Sequence, residues 1–277
     1  MVVQHNLQAA NTNRMLGANV KAVSKSTEKL SSGYAVNRAA DDAAGLSISE
    51  KMRNQIRGIN QSVKNAEDGV SLIQTAEGNM SEVHSILQRM GELATKAAND
   101  VNAKEDRTAI QDEINELAAE IDSISSKAAF NGTKLLNGSF KGKHLQVGAN
   151  KGENMLISIT TMNCKKLLGA AGAAIKDTVC MSTHADAGKA MSRISQAIKD
   201  VSAARSSLGA KQNRLEYTID NLENYSENLT SAESQIRDTD MATEMTNYTK
   251  NNILQQAAQS MLAQANQSTQ GVLSLLQ

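Results

Sequence analysis

The 277-residue chain contains no proline and no tryptophan, and only two phenylalanines and four tyrosines. A compact α/β enzyme of this length normally fills its core with aromatic side chains, so that class is excluded. Two cysteines cannot build a disulfide-dense scaffold. No run of 18 apolar residues occurs, so no membrane-spanning helix and no membrane insertion are expected. No sign of charge is in excess: 29 basic residues balance 29 acidic ones, which argues against a nucleic-acid binder. The first 30 residues lack a basic start followed by an unbroken apolar stretch, so they do not read as a secretory signal. Taken alone, that points to the cytoplasm. What is abundant is Ala, Leu, Glu, Lys, Gln, Ser and Asn, a composition suited to long helices.

Apolar periodicity supports this. Ile56, Ile59, Val63, Ala66, Val70 and Ile73 step by 3 and 4, and after one extra step of 3 the pattern resumes at Ala76 and runs through Met80, Val83, Leu87, Met90, Ala94 and Ala97. This predicts one helix over 44–99, about 80 Å long, with a coiled-coil seam and a stammer. A second seam follows at Ile110, Ile114, Leu117, Ile121 and Ile124. Residues 130–160 change character: Asn131-Gly132, Asn137-Gly138 and Gly148 punctuate short β-branched runs, which predicts one or two β-hairpins. The seam returns through Met191, Ile194, Ile198, Val201, Leu208, Leu215, Ile219, Leu222, Leu229 and Ile236, interrupted by Arg205, Gln212, Ser226 and Glu233; this predicts a helix over about 184–236. Both ends are Gln/Asn-rich amphipathic helices, over 5–31 and 241–276. Leu7, Leu16 and Val20 at one end, and Leu254, Met261, Leu262 and Leu275 at the other, form the expected assembly seam.

The expected fold class is therefore mainly α: a long antiparallel coiled-coil rod of nested N- and C-terminal helices with a small β-hairpin region. Its expected parts are a terminal helix and connecting loop (1–43), two rod helices (44–130), a hairpin region (131–160), a short undetermined segment (161–181), a returning rod helix (182–238) and a second terminal helix (239–277).

Catalytic chemistry is not signalled. His5, His84, His144 and His184 stand in no metal-binding spacing and read as solvated surface residues. Asp41-Asp42 read as first-turn acids of the next helix rather than as an acid–base pair. Methionines, 12 in all, fall largely on seams as flexible core fillers. No cofactor, metal or catalytic residue is assigned. Cys164 and Cys180 admit two readings, a disulfide or two free thiols. Ile86, Arg89, Leu93 and Lys96 form a second stripe one residue off the seam, which a partner or a third helix of the same chain would cover equally well.

The chain resembles the bacterial flagellins. The resemblance rests on TEKLSSGYAVNRAADDAAGLSIS, QIRG, NAEDGVSLIQTAEGNM, ILQRM, IQDEI and FNGTKLLNG in the first half. In the second half it rests on LGAKQNRLEYTIDNL, ENLTSAESQIRDTDMATEM and MLAQANQSTQGVLSLL. Residues 161–181 match nothing firm and stand where such proteins carry their variable domain. The resemblance implies a structural subunit that self-assembles into a homopolymeric flagellar filament. It also implies export unfolded through the flagellar type III apparatus without a cleaved signal, an export chaperone and a filament cap as partners, and an extracellular location. The alternative is a hook–filament junction protein of related architecture. Some flagellins carry an H-E-x-x-H peptidase in the variable region; this chain has no such motif and no room for one. In similar flagellins a helix around ILQRMRELAVQ binds Toll-like receptor 5. Here ILQRMGELATK carries Arg89, Leu93 and Lys96, with Glu113 in IQDEI, so these four are the expected receptor-facing residues. Gly91, Thr95 and Lys96 depart from the usual arginine, valine and glutamine.

Overall fold

A computed structural model describes residues 6–169 and 179–274, with side chains described as far as Ser268. The elements in chain order are α1 (Leu7–Ser32), α2 (Ala43–Ala97), α3 (Lys104–Lys127), β1 (Ala129–Phe130), β2 (Thr133–Lys134), β3 (Lys143–Gln146), β4 (Asn154–Ile157), α4 (Cys164–Leu167), α5 (His184–Arg237) and α6 (Met241–Ser274). The fold is mainly α, with two small antiparallel hairpins. The residues form two compact units, one from 57–226 and one from the two ends of the chain, 1–56 and 227–277.

The central unit (57–226) is organised on one face of α2. Its buried line is Ile59, Ser62, Ala66, Gly69, Ile73, Ala76, Met80, Val83, Leu87, Met90, Ala94 and Ala97. These steps alternate 3 and 4 without interruption, so the expected stammer is absent. The seam passes through Ser62 and Gly69, not through Val63 and Val70, which are only half-buried beside it. Small residues are needed there because the β3–β4 hairpin lies on the helix. Leu145 of β3 sits where a side chain at Gly69 would be, Ala149 lies 2.9 Å from the position of a Cβ at Gly58, and the Asn65 side-chain amide donates to the Gln146 carbonyl at 3.2 Å. The hydroxyl of buried Ser62 is satisfied by the Gly58 carbonyl at 2.8 Å.

α5 runs antiparallel to α2, with Leu215 against Gly69, Arg205 paired to Glu77 at 3.4 Å and Ile194 against Gly91. Its buried line near the start of the helix is Ala187, Ala190, Ile194, Ala197 and Val201. Alanines replace the larger Met191 and Ile198 expected there; Met191 is exposed. α3 adds Ile110, Ile114, Ala118 and Ile121 to the same core. Leu135, Leu136, Phe140, Met155, Ile157, Ile159 and Met162 close one end of it.

The two-residue β1–β2 loop, Asn131-Gly132, has positive φ at both positions (45° and 76°), as its tight hairpin requires. Cys164 and Cys180 are both free thiols. Cys164 is fully buried at the start of α4, where its N–H donates to Asp122 Oδ1 at 2.8 Å. Burial, reinforced by the Asp122 charge, pushes this thiol up to about 12.

The terminal unit is held by caps and a loop clamp. Asn6 caps α1 by accepting from the Ala9 N–H at 2.9 Å, and Gly33 ends that helix with φ 77°, its N–H reaching the Lys29 carbonyl. Asp42 Oδ1 accepts from the N–H groups of Ala44 and Gly45, both at 3.0 Å, and so caps α2. Asp240 does the same for α6 through Ala242 and Thr243, whose N–H bonds hold its carboxyl below the usual value. Between these caps Tyr34 pairs with Asp238 as an isolated antiparallel bridge. The Arg237 guanidinium lies 4.8 Å from the Tyr34 ring centre and that of Arg53 lies 5.6 Å away. Arg53 also donates to the Tyr34 hydroxyl at 3.1 Å and pairs with Glu233, while Arg237 pairs with Glu50 at 2.7 Å.

Gly69→Ala is expected to destabilise the central unit by about 1–2 kcal/mol, the overpacking against Leu145 and Leu215 outweighing the gain of about 1 kcal/mol in helix propensity. Gly78→Ala, whose Cβ meets nothing within 4 Å, is expected to stabilise. Urea unfolding of both variants checks the pair, and a Gly69→Ala protein as stable as wild type contradicts the docking.

The thiols should also separate. Half-exposed Cys180 reacts with a thiol reagent in the native protein, and Cys164 reacts only on unfolding. Because the folded Cys164 pKa lies above the ordinary 9.0, its contribution is complete below pH 9.0 and is lost as pH rises toward about 12. The urea midpoint of wild type should therefore fall more steeply above pH 9.0 than that of Cys164→Ala. Parallel slopes would show that the thiol is not desolvated.

Candidate assembly interface and surface stripe

Helices α1 and α6 pack against each other antiparallel. Asn6 at one end donates to the Ala265 carbonyl at 3.1 Å, and Lys29 at the other lies 4.0 Å from Glu244. The facing positions can be read from partial burial. On α1 they are Ala9, Thr12, Leu16, Asn19, Val23, Ser26 and Leu30; on α6 they are Glu244, Tyr248, Asn251, Gln255, Ala258, Leu262 and Ala265. Both series alternate 3 and 4. Most members are small or polar, and only Ser26 and Ala265 are buried. The pair is in register but shields little apolar surface.

Large apolar side chains on these two helices mostly lie off that seam. Leu7 is 76% exposed, Ile253 60% and Met261 61%, with Met15, Val20, Met241, Met245 and Leu254 exposed as well. On α6, Ile253, Leu254, Ala257 and Met261 form a stripe of their own at helical spacing. The seven residues read from the sequence as one assembly seam thus divide. Leu16 and Leu262 face the partner helix, Leu7, Val20, Leu254 and Met261 face outward, and Leu275 lies outside the described residues. The two helices thus meet within the chain, through a seam that mixes small, polar and a few larger apolar residues. Sequence reading placed Leu16 and Leu262 but missed the small and polar members of that seam, such as Ala9, Thr12, Asn19, Ser26, Asn251 and Ala258, because it followed the largest apolar side chains.

The second stripe, on α2 and α3, is only partly brought together. The Arg89 guanidinium donates from Nε (3.2 Å) and Nη2 (3.0 Å) to Glu113 Oε1, and from Nη1 to Glu92 Oε2 at 3.1 Å. Glu113, then Glu92, holds the arginine above its usual range. This cluster is exposed and bridges the two helices; Lys96 is exposed on the next turns of α2. Leu93 is not on the surface. It is 4% exposed and belongs to the core with Met90 and Ala94. The expectation that it faces away from the seam is corrected, because the addition of α3 widens the buried face of α2 beyond a single seam. Gly91 is half-buried, the position of its Cβ being 3.8 Å from Ile194 Cγ2.

Among the described residues no group of three or more His, Cys, Asp or Glu side chains is placed to hold a metal ion. No helix among them is long and apolar enough to cross a membrane.

Two family profiles match the chain. The bacterial flagellin N-terminal helical region covers residues 3–141, and the bacterial flagellin C-terminal helical region covers residues 191–276. The chain belongs to the bacterial flagellin family. The "Flagellin" of Halalkalibacterium halodurans is 51% identical over 276 residues and that of Bacillus subtilis 48% over 303 residues, each alignment spanning 100% of both chains. The "Flagellar filament 31.3 kDa core protein" of Treponema maltophilum is 45% identical, again over 100% of both. The solved structure of a putative flagellar hook-associated protein from Vibrio parahaemolyticus has a TM-score of 0.59 over 72% of this chain and 100% of its own. At 14% identity that likeness shows the fold alone. The full-length flagellin matches make this chain a flagellin structural subunit and do not favour the junction-protein alternative.

In this flagellin, Leu93→Ala is expected to cost about 2–5 kcal/mol as a buried large-to-small change. Arg89→Ala is expected to cost less than about 1 kcal/mol, its ion pairs being exposed. Thermal unfolding of the two variants tests the division, and equal losses would place Leu93 at the surface.

Proposed function

We propose that the subunit polymerises through the outward apolar stripes of α1 and α6, as the core of an extracellular filament. The supporting observation is what the intrachain contact leaves uncovered: it takes in Leu16, Val23, Leu30 and Leu262 among small and polar residues, while Leu7, Val20, Ile253, Leu254 and Met261 face outward. Hydrophobic burial is worth about 25 cal/mol per Å², so a helix pair that leaves these side chains in water gains most of its stability on meeting other subunits. The outward face is also the one a flagellar export chaperone and a filament cap would engage before and during assembly. The chain is secreted by the flagellar route and acts by forming structure, without catalysis. The single double substitution that tests this is Leu254→Asp with Met261→Asp. Filaments should be absent by electron microscopy while the helix content of the monomer is unchanged. Filaments of ordinary length from that variant would refute the reading.

The exposed Arg89–Glu113 bridge, with Lys96 beside it, is proposed as the surface that Toll-like receptor 5 would meet. Leu93 supports it from within. An exposed arginine preset by two carboxylates carries little entropy cost on binding. Arg89→Ala should weaken binding of monomer to the receptor ectodomain by at least about tenfold, corresponding to the 1.4 kcal/mol or more typical of such anchors. Unchanged binding would remove the assignment.

A further inference from the structure

The chain holds two Asn-Gly pairs, and the structure gives them different chemical surroundings. Asn131-Gly132 is the β1–β2 loop, and no donor bonds the Asn131 side chain among the described residues. Asn137-Gly138 lies between the buried pair Leu135–Leu136 and buried Phe140. Here the exposed Asn137 side-chain carbonyl accepts from the Ser139 N–H at 2.9 Å and from the Ser139 hydroxyl at 2.7 Å, the shorter of that hydroxyl's two contacts, the other being the Lys134 carbonyl at 3.2 Å. Gly138 is required by the fold: its φ is 90°, and a Cβ would collide with the Thr161 hydroxyl. The fold therefore sets a glycine N–H immediately after an asparagine whose amide carbonyl accepts from the N–H and the hydroxyl of Ser139.

We propose that Asn137 is a site of self-catalysed deamidation in the folded subunit. The Gly138 nitrogen, giving up its proton, attacks Asn137 Cγ. The new N–Cγ bond closes a five-membered imide, and the Cγ–NH2 bond breaks, releasing ammonia with the proton. Oxyanion character develops on Asn137 Oδ1 during attack, where the two Ser139 donors already point. Water then opens the imide at either carbonyl, giving aspartate or isoaspartate.

The two products act differently on the fold. Aspartate keeps the side-chain acceptor that Ser139 bonds. Isoaspartate inserts one extra carbon into the main chain between two anchored points. One is the Leu136 carbonyl, which accepts from Met162 N at 2.9 Å and from Ser125 Oγ at 3.0 Å; the other is the Phe140 carbonyl, which accepts from Ile159 N at 3.0 Å. Leu136 and Phe140 cannot both keep their buried places with that insertion. The site thus works as a slow clock that loosens one end of the central core in an ageing subunit.

The test is peptide mapping by mass spectrometry, with aspartate and isoaspartate separated, on full-length protein held in mildly alkaline buffer. Asn131 serves as the internal reference. In the native protein Asn137 should convert at least about fivefold faster than Asn131. Ser139→Ala should slow position 137 by about fivefold, close to 1 kcal/mol, and leave position 131 unchanged, and Ser139→Thr should restore the rate. In urea the difference between the two sites should vanish. The proposal is overturned if native Asn137 is no faster than Asn131, if Ser139→Ala leaves its rate unchanged, or if the difference persists in urea, which would assign it to the neighbouring sequence rather than to the fold.

Discussion

The central unit depends on how closely its other elements approach one face of α2. That approach is set by residue size along a single line spaced 3 and 4. Where α5 and α3 pack, the line carries Ile73, Met80, Val83, Leu87 and Met90; where the β3–β4 hairpin packs, it narrows to Ser62, Ala66 and Gly69. A core almost without aromatics is possible because helices that pack through alanine and glycine leave little volume to fill. Ala187, Ala190 and Ala197 make the same provision on α5. The hydroxyl groups buried in this packing, those of Ser62 and Ser125, are bonded to carbonyls of the same region, so close approach leaves neither of them unsatisfied.

The same size rule decides what could be read from the chain in advance. Helix positions and the mainly-α class were legible because period 3.6 persists over long stretches, and the hairpins because Asn131-Gly132 turns the first and Gly148 opens the loop of the second, while Asn137-Gly138 lies between them. The seam itself was misread at Val63 and Val70, since an apolar count favours the larger neighbour over a glycine that is small for a reason outside the helix. Leu93 was misplaced for a related cause: a single seam assigns one face to a helix, and α2 buries two adjacent faces once α3 lies beside it. The Arg89–Glu113 bridge joins residues from separate helices and has no signal in spacing; only the family resemblance put the two together. The Tyr34–Arg53–Arg237 cluster carried no periodic signal either, because it is built from a loop and two helix ends.

The terminal helices follow the opposite rule. Their mutual seam is specified by register and polarity, with Asn6 and Lys29 fixing its two ends, while their larger apolar side chains are mostly turned away from it. Polar members of such a seam set alignment at the expense of stability. In the proposed reading, further stability is supplied by association with other subunits. The Tyr34 clamp, by tying the α1–α2 loop to the α5–α6 junction through Tyr34 and Asp238, keeps the two helices aligned before that association occurs.

Hydrogen exchange of the α1 and α6 backbone amides, followed in the monomer and in the assembled state, tests this division of faces most directly. The account predicts fast exchange in α1 and α6 of the monomer, with strong protection appearing on assembly, while the core helices of residues 57–226 are protected in both states. Strong protection of α1 and α6 already present in the monomer would contradict it, because the intrachain seam alone would then be holding the pair.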